Sequence, residues 1–390
     1  MALNDSYLEE NLGPKPLLDP ARQQKAKEYA RLKRRLSLAE LALAGSLLLL
    51  VILSGLSARL AGLISLPPVP AAAAYFIGLM LAYGLLAAPL SYYGGFVLPR
   101  RYGLSTQKLS GWLGDTLKAA ALGLVLGVAI VAAVYWFLGG WPQLWWLLTW
   151  GLVILLSLVL TILGPVVIVP LFYKMEPLRD KGLKERLKNL AGKAKASISN
   201  VYTLEFSSKG TAANAALMGA GKTRRIVLSD TLLDKYSPEE IEVIMAHELG
   251  HHRNKDFMRI FLYQAIILFV SFWLTHIIAK ATVPPLGFSG IDDVAALPLL
   301  VLVFAGLSSL IMPLSNTYVR SRERAADDFA LRLTGNPQAF ITMMTKLTDQ
   351  NLAEARPSRW IERLLYDHPS YASRLAYASS ISAHKSDQGG

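Results

Sequence analysis

The 390-residue sequence contains no cysteine. That excludes a disulfide scaffold, Cys-ligated zinc, iron–sulfur clusters and cysteine nucleophiles, and it leaves the redox compartment open. Charge is also scarce: Asp, Glu, Lys and Arg make up 17% of residues against 53% hydrophobic. Soluble domains carry about a quarter charged residues, so a water-soluble fold of this length would lack the polar surface to cover itself. Long polar tracts, internal repeats and low-complexity segments are missing, which excludes a disordered chain. The charge that exists is one-sided, 40 Lys and Arg against 28 Asp and Glu, for a formal net charge of +12.

What the sequence has instead is long apolar runs. A helix crosses a bilayer in about 20 residues. Six segments qualify, near 36–58, 71–97, 116–138, 143–172, 258–279 and 295–318, and only Glu40 is charged in the first. Polar and basic residues fill 1–35 ahead of that span, so it does not read as a signal peptide. Lys and Arg concentrate before the first span (Arg22 to Arg35), after the second (Arg100, Arg101, Lys108), after the fourth (Lys174, Arg179, Lys181) and after the sixth (Arg320, Arg322, Arg324). The alternate loops hold only Arg59 and Lys280. By the positive-inside rule, both termini, 173–257 and 319–390 are expected on the cytoplasmic side. Basic charge beside spans serves topology, and no nucleic-acid partner is expected. Trp141, Trp145, Trp146 and Trp150 read as an aromatic belt, and Pro165 and Pro170 are expected to kink the fourth segment or end it early.

The expected organisation is a basic N-terminus (1–35), four spans (36–172), a catalytic segment (173–257), a membrane helix pair (258–318) and a second catalytic segment (319–390). Within the first catalytic segment, 179–196 has Leu183, Leu187 and Leu190 at helical spacing amid Lys and Arg. The runs 201–206, 213–219 and 224–230 read as strands of a small sheet of about three, the last two joined by the turn Gly219-Ala220-Gly221-Lys222. Ser237, Pro238 and Glu240 spell a capping box that opens a helix. The helix beginning at Tyr318 should stop at Gly335, with two further helices near 337–353 and 370–380.

The capped helix carries His247-Glu248-Leu249-Gly250-His251. Residues four apart share a helix face, so both imidazoles can reach one cation at about 2.0–2.1 Å. Glu248 can take a proton from water acidified by that cation. An exposed helix with solvated histidines would give the same pattern, and a catalytic site needs a third ligand. Asn254 and Phe257 exclude the extended HExxHxxGxxH form. Glu323 is the candidate, because spans five and six packed antiparallel would return it to the height of His251; a surface Glu pairing with Arg320 or Arg324 is the other reading of that residue.

His247–His251, Glu323–Asp327 and the stretch 214–233 together resemble the M48 metallopeptidases. Within them the similarity is to the Ste24-type integral-membrane CAAX prenyl proteases, and more distantly to the HtpX quality-control proteases. The resemblance covers most of 170–380. It implies a mainly α, polytopic membrane protein of about six transmembrane helices with a zincin-like cytoplasmic catalytic domain. It implies one Zn2+ held by His247, His251 and Glu323, with Glu248 as base and Asp327 fixing a ligand histidine. Asn214, Ala215 and Ala216 would receive an extended peptide by β-addition, and His368 and Arg374 would serve the oxyanion or the substrate; a helix-boundary His and a surface Arg is the plainer reading of that pair. Substrates would be peptides or proteins, prenylated at the C-terminus in the CAAX-type reading, and membrane lipid would surround the chain. Of the family's usual Ser-Arg ahead of the Glu, only Arg320 is kept, with Val319 before it. Eukaryotic members have a seventh span; the one missing here would be the first, consistent with an N-terminus inside, and the last five residues, without a dilysine signal, favour a prokaryotic cytoplasmic membrane. Two other readings stay open: an HtpX-like quality-control protease, and a non-catalytic scaffold or transporter with a structural metal. The second lacks the intramembrane charges of ion-coupled transport and a fourth protein ligand. His252, His276 and His384 read as bystanders, and cobalt or manganese could substitute for zinc.

Overall fold

The structure, a computed structural model, describes residues 18–387 apart from Ala220, Lys222 and Thr223, with backbone only for 381–387. The sequence-expected turn at 219–222 therefore lies partly, and the His384 side chain wholly, outside the described residues.

Among the described residues six helices are long and apolar enough to cross a membrane: Pro20–Leu53, Pro68–Arg101, Leu109–Gly140, Trp145–Phe172, Asp256–Thr282 and Val294–Thr334. The first, α1 (Pro20–Leu53), starts with Pro20 at N1 and the Asp19 carboxylate accepting from the Ala21 and Arg22 amides. The basic residues 22–35 and the first apolar run thus form one continuous helix. The next three are α2 (Pro68–Tyr92), α3 (Leu109–Gly140) and α4 (Trp145–Leu163). Apolar side chains such as Leu85, Leu155 and Leu310 point outward and are exposed, which water would penalise and acyl chains would not. Pro165 does not end the fourth span: the chain passes through a π turn at Gly164–Ile168 and continues helically, through Pro170, to Phe172. A second π turn, Tyr93–Val97, precedes Pro99 in the second span. A proline lacks an amide hydrogen, and a wider turn accommodates the missing bond.

The tryptophan cluster divides. Trp141 is exposed as a belt residue would be. Trp145 is 2% exposed and donates its indole N–H to His276 Nδ1 at 2.9 Å, while Trp150 donates to the Ala265 carbonyl at 2.8 Å. In an apolar medium an indole N–H needs an acceptor, so these two bind α4 to the fifth span rather than marking the interface.

Between the fourth and fifth spans the chain forms a four-stranded sheet, β1 (Met175–Pro177), β2 (Asn200–Leu204), β3 (Ala215–Met218) and β4 (Arg225–Ser229), in the order β1-β2-β4-β3. That is one strand more than expected. β2 and β4 run parallel, and the outer pairs are antiparallel. Helix α5 (Lys181–Lys193) buries Leu183, Leu187 and Leu190 in one core with Val201, Ile226, Leu228, Met245 and Leu249. Helix α6 (Pro238–Arg253) is opened by the full capping box, Glu240 N–H to Ser237 Oγ at 3.3 Å and Ser237 N–H to Glu240 Oε2 at 2.8 Å. Then come α7 (Asp256–Thr282), α8 (Leu297–Thr334), α9 (Pro337–Gln350), α10 (Arg359–Leu365) and α11 (Tyr371–Asp387). Gly335 closes α8 in the left-handed region, φ 62°, where glycine carries no Cβ penalty. The short α10 was not anticipated.

Helices α6 and α8 touch backbone to backbone at Gly250. A Cβ there would lie 3.1 Å from Ala326 Cα and 3.2 Å from the Ala326 carbonyl and from Phe329 Cβ. Gly250→Val should therefore push α8 away, costing about 1–3 kcal/mol of stability and weakening metal binding. Thermal unfolding and metal content of the purified protein read both; a variant matching wild type in each would show that this contact does not set the helix spacing.

Candidate metal centre

Helix α6 presents His247 and His251 one turn apart, and α8 brings Glu323 against them. The Nε2 atoms are 3.2 Å apart; Glu323 Oε1 is 3.2 Å from His251 Nε2, and Oε2 is 3.4 Å from His247 Nε2. Three ligand atoms about 2.0–2.1 Å from one cation in tetrahedral array sit about 3.3 Å from each other. The observed separations have that size. Both rings turn a second nitrogen to a carboxylate: His247 Nδ1–H donates to Asp327 Oδ1 at 2.9 Å, and His251 Nδ1–H to Asp256 Oδ2 at 3.1 Å. Each Nε2 is thereby left as a lone-pair donor, and two lone pairs meet at 3.2 Å beside a buried carboxylate oxygen, Glu323 Oε2, that makes no hydrogen bond. A shared cation satisfies all three atoms, so the residues fit the metal that the motif implies.

The second layer is charged. Arg374 grips Asp327 with one edge of its guanidinium, Nε to Oδ2 at 2.8 Å and Nη2 to Oδ1, and Nη2 lies 3.5 Å from His247 Nδ1. Arg374 thus meets the site from behind His247, through Asp327, while also lining the cleft. Arg320 does not pair with Glu323. It donates to the Glu362 carbonyl at 3.0 Å, to the Tyr366 carbonyl and to Thr317 Oγ1, and so anchors the segment that presents His368. His368 is the most exposed member, at 58% of its side chain, with Nε2 3.4 Å from Glu323 Oε1 and Nδ1 2.9 Å from Asp367 Oδ1.

In front of the cluster is a cleft of about 220 Å³, lined among others by Asn214, Ala215, Glu248, Met343 and His368. Glu248 faces it without an ion-pair partner among the described residues, and burial lifts its carboxyl above the ordinary range. Asn214 precedes β3, its backbone fixed by Ser229 (N–H to Oγ 3.0 Å; Ser229 N–H to its carbonyl 2.9 Å) while its side chain is exposed. The outer edge of β3 has no strand partner among the described residues, so its backbone can pair with an extended chain. Ala216 lies on that strand, one residue beyond the cleft lining.

Asp256 was not picked out from the sequence. It is the first residue of α7, five after His251, and is returned to His251 because Lys255 adopts the left-handed region, φ 54°. It is 1% exposed. The only sequence signal is an acid just past the motif at a helix break.

Residues 10–174 match the family described as CAAX prenyl protease N-terminal, five membrane helices, and 177–382 match peptidase family M48. The chain belongs to peptidase family M48. Among curated relatives it is 29% identical over 94% of its length to the uncharacterized metalloprotease YhfN of Bacillus subtilis, covering 87% of that protein. It is 30% identical over 77% of its length to a CAAX prenyl protease 1 homolog of Arabidopsis thaliana, covering 72% of it, and 28% identical over 80% to CAAX prenyl protease 1 of Saccharomyces cerevisiae, covering 72%. The fold is that of the crystal structure of S. mikatae Ste24p, with a TM-score of 0.83 at 22% identity over 96% of this chain and 93% of that one. Of the five membrane helices in the family description, four long apolar ones lie in the described part of 10–174. As an M48 member the protein is a multi-pass integral-membrane metalloendopeptidase acting on peptide or protein substrates, and its family implies a metal.

Two outcomes follow. Asp256→Ala should lower metal affinity about 10- to 100-fold, with Asp256→Asn intermediate; chelator competition measures it, and equal affinities would mean Asp256 does not orient the ring. Before a cation binds, burial opposes protonation of His247, but the Asp327 carboxylate at Nδ1 and the Glu323 carboxylate beside Nε2 outweigh that and raise its pKa to about 9. Coordination needs the neutral ring, so loading expels a proton, and apparent affinity should fall as pH drops below about 9, by up to about tenfold per unit for each proton released. Titrations between pH 6 and 9 that show no slope would contradict this.

Proposed function

We propose that this protein is a zinc endopeptidase of the CAAX prenyl protease type, cutting peptides or proteins that carry a prenyl group near the C-terminus. The observation that carries the reading is the cluster of His247, His251 and Glu323 beside a cleft that holds Glu248 and opens along the free edge of β3. Zinc, held by those three side chains, supplies Lewis acidity toward water and the scissile carbonyl. Glu248 takes the proton of the attacking water and returns it to the leaving amine. Burial raises its carboxyl above the usual carboxylate range. Asn214, Ala215 and Ala216 hold the substrate backbone by strand pairing, which positions a carbonyl without demanding one sequence. His368, exposed at the cleft wall, donates to the developing oxyanion or to the substrate, and Arg374 holds Asp327 and through it His247.

The names of the eukaryotic relatives favour the prenyl-protease reading over a quality-control role, and the apolar cavity beside the cleft suits an amphiphilic substrate. We place both termini and the catalytic segments 173–257 and 319–390 on the cytoplasmic face of a prokaryotic membrane. The membrane part comprises 36–172 and the helix pair 258–318, after the basic residues 1–35. The alternation of basic and charge-poor loops supports that orientation.

Glu248→Gln should keep zinc and lose at least about a thousandfold in cleavage rate, the scale of a lost general base. Undiminished turnover in the zinc-loaded variant would overturn the mechanism. Comparing a farnesylated peptide with its unmodified form tests substrate class: equal rates would favour the quality-control role.

A further inference from the structure

We propose that the large cavity beside the cleft receives the residues that follow the cleaved bond, and that Arg31 and Arg35 on its α1 wall bind the substrate's free C-terminal carboxylate. The inference rests on the protease reading above and names what that site selects.

The cavity measures about 1050 Å³, a size that encloses a drug-sized ligand or a short peptide. It adjoins the cleft: Met344, Leu347, Asn351, His368 and Arg374 line both. The direction of β3 decides which half of a substrate enters it. The strand starts at the cleft, where Asn214 and Ala215 line it, and Leu217 and Met218 run away from it. A peptide pairing antiparallel with β3, as β4 does on the other side, runs from Met218 toward Asn214. Its earlier residues lie along the strand, its scissile bond arrives at the metal cluster, and its later residues pass His368 into the cavity.

The wall supplied by α1 changes character along one helix face. Arg31, Lys33, Arg34 and Arg35 come first, followed by Leu38 and Leu41. Across the cavity Met312 and Leu365 continue the apolar surface. Glu354 is the only acidic residue in the lining, and it is already engaged by Arg34 Nη1 at 3.0 Å and by the Tyr366 hydroxyl at 3.4 Å. Arg374 is committed to Asp327. Arg31 and Arg35 have no hydrogen-bond or ion-pair partner among the described residues, although they sit one helical turn apart in the wall. An apolar chamber with two unpaired guanidinium groups at one end matches a short apolar peptide tail ending in a carboxylate, the group that arginine binds with two parallel hydrogen bonds. A phospholipid phosphate shares that charge. The shared wall with the cleft favours the peptide, since a chain engaged at the metal cluster ends beside this cavity.

The test uses the full-length, zinc-loaded protein in detergent and one farnesylated peptide made with a C-terminal acid and with a C-terminal amide. Wild type should cleave the acid with a kcat/KM about 10- to 100-fold above that of the amide, the worth of a charge-assisted hydrogen bond, expressed mainly in KM. Arg31→Gln with Arg35→Gln should bring that ratio close to one while zinc content and thermal midpoint stay at wild-type values, and Arg31→Lys with Arg35→Lys should restore part of it. Equal cleavage of acid and amide by wild type would overturn the subsite and leave the protease reading intact. An unchanged ratio in the double Gln variant would do the same, and if that variant also binds phosphatidylglycerol vesicles less well, the two arginines serve lipid. Failure of the zinc-loaded wild type to cut either peptide would bring down the protease reading, and the subsite with it.

Discussion

Glu323 is a carboxylate held at 5% exposure between two imidazoles, with one oxygen that makes no hydrogen bond. Burying such a group in the absence of positive charge is among the costlier things a protein can do. The arrangement persists only with a cation or protonated rings beside it, so the geometry is that of a receptor for positive charge. The backbone contact of Gly250 with Ala326 brings α8 close enough for a side chain as short as glutamate to reach both nitrogens, and the antiparallel return of α8 along α7 sets its height.

The histidines could still rotate or exchange tautomers, and the layer behind them prevents it. Each Nδ1–H has its own carboxylate, Asp327 from α8 and Asp256 from α7, and each carboxylate is nearly inaccessible to water. The two differ in their further support. Asp327 is held by Arg374 from α11, whereas Asp256 has one buried oxygen without a hydrogen bond and the Arg322 guanidinium only within 4.0 Å. His247 is therefore locked by a complete chain of charge, and His251 by a looser one.

How much of this was legible depends on how local each cause is. The motif helix announced itself because Ser237, Pro238 and Glu240 write its start within four residues. Glu323 could be placed because two adjacent spans have one simple way to pack. Asp256 could not, because its carboxylate reaches His251 only through the left-handed turn at Lys255, which no residue type there requires. Trp145 and Trp150 looked interfacial because hydropathy does not distinguish a helix face turned to lipid from one turned to another helix; His276 and the Ala265 carbonyl decided it. Strand β1 is three residues long and ends in proline, and it exists only because β2 offers it an edge.

The same turn at Lys255 ties the chemistry to the membrane. The α6 motif helix ends at Arg253, and Asp256 opens α7, so the residue that orients the second histidine is also the first residue of a transmembrane helix. Glu323 and Asp327 lie on α8, which is itself the continuation of a span. Two of the helices that define the metal cluster are therefore membrane helices, and only α6 belongs wholly to the polar segment. A displacement of α7 against α8 within the bilayer would move Asp256 relative to Glu323 while His247 and His251 stayed fixed on α6. The geometry of the His247–His251–Glu323 cluster thus depends on how spans five and six pack, which gives a physical reason to keep the polar segments interleaved with the spans rather than tethered to them.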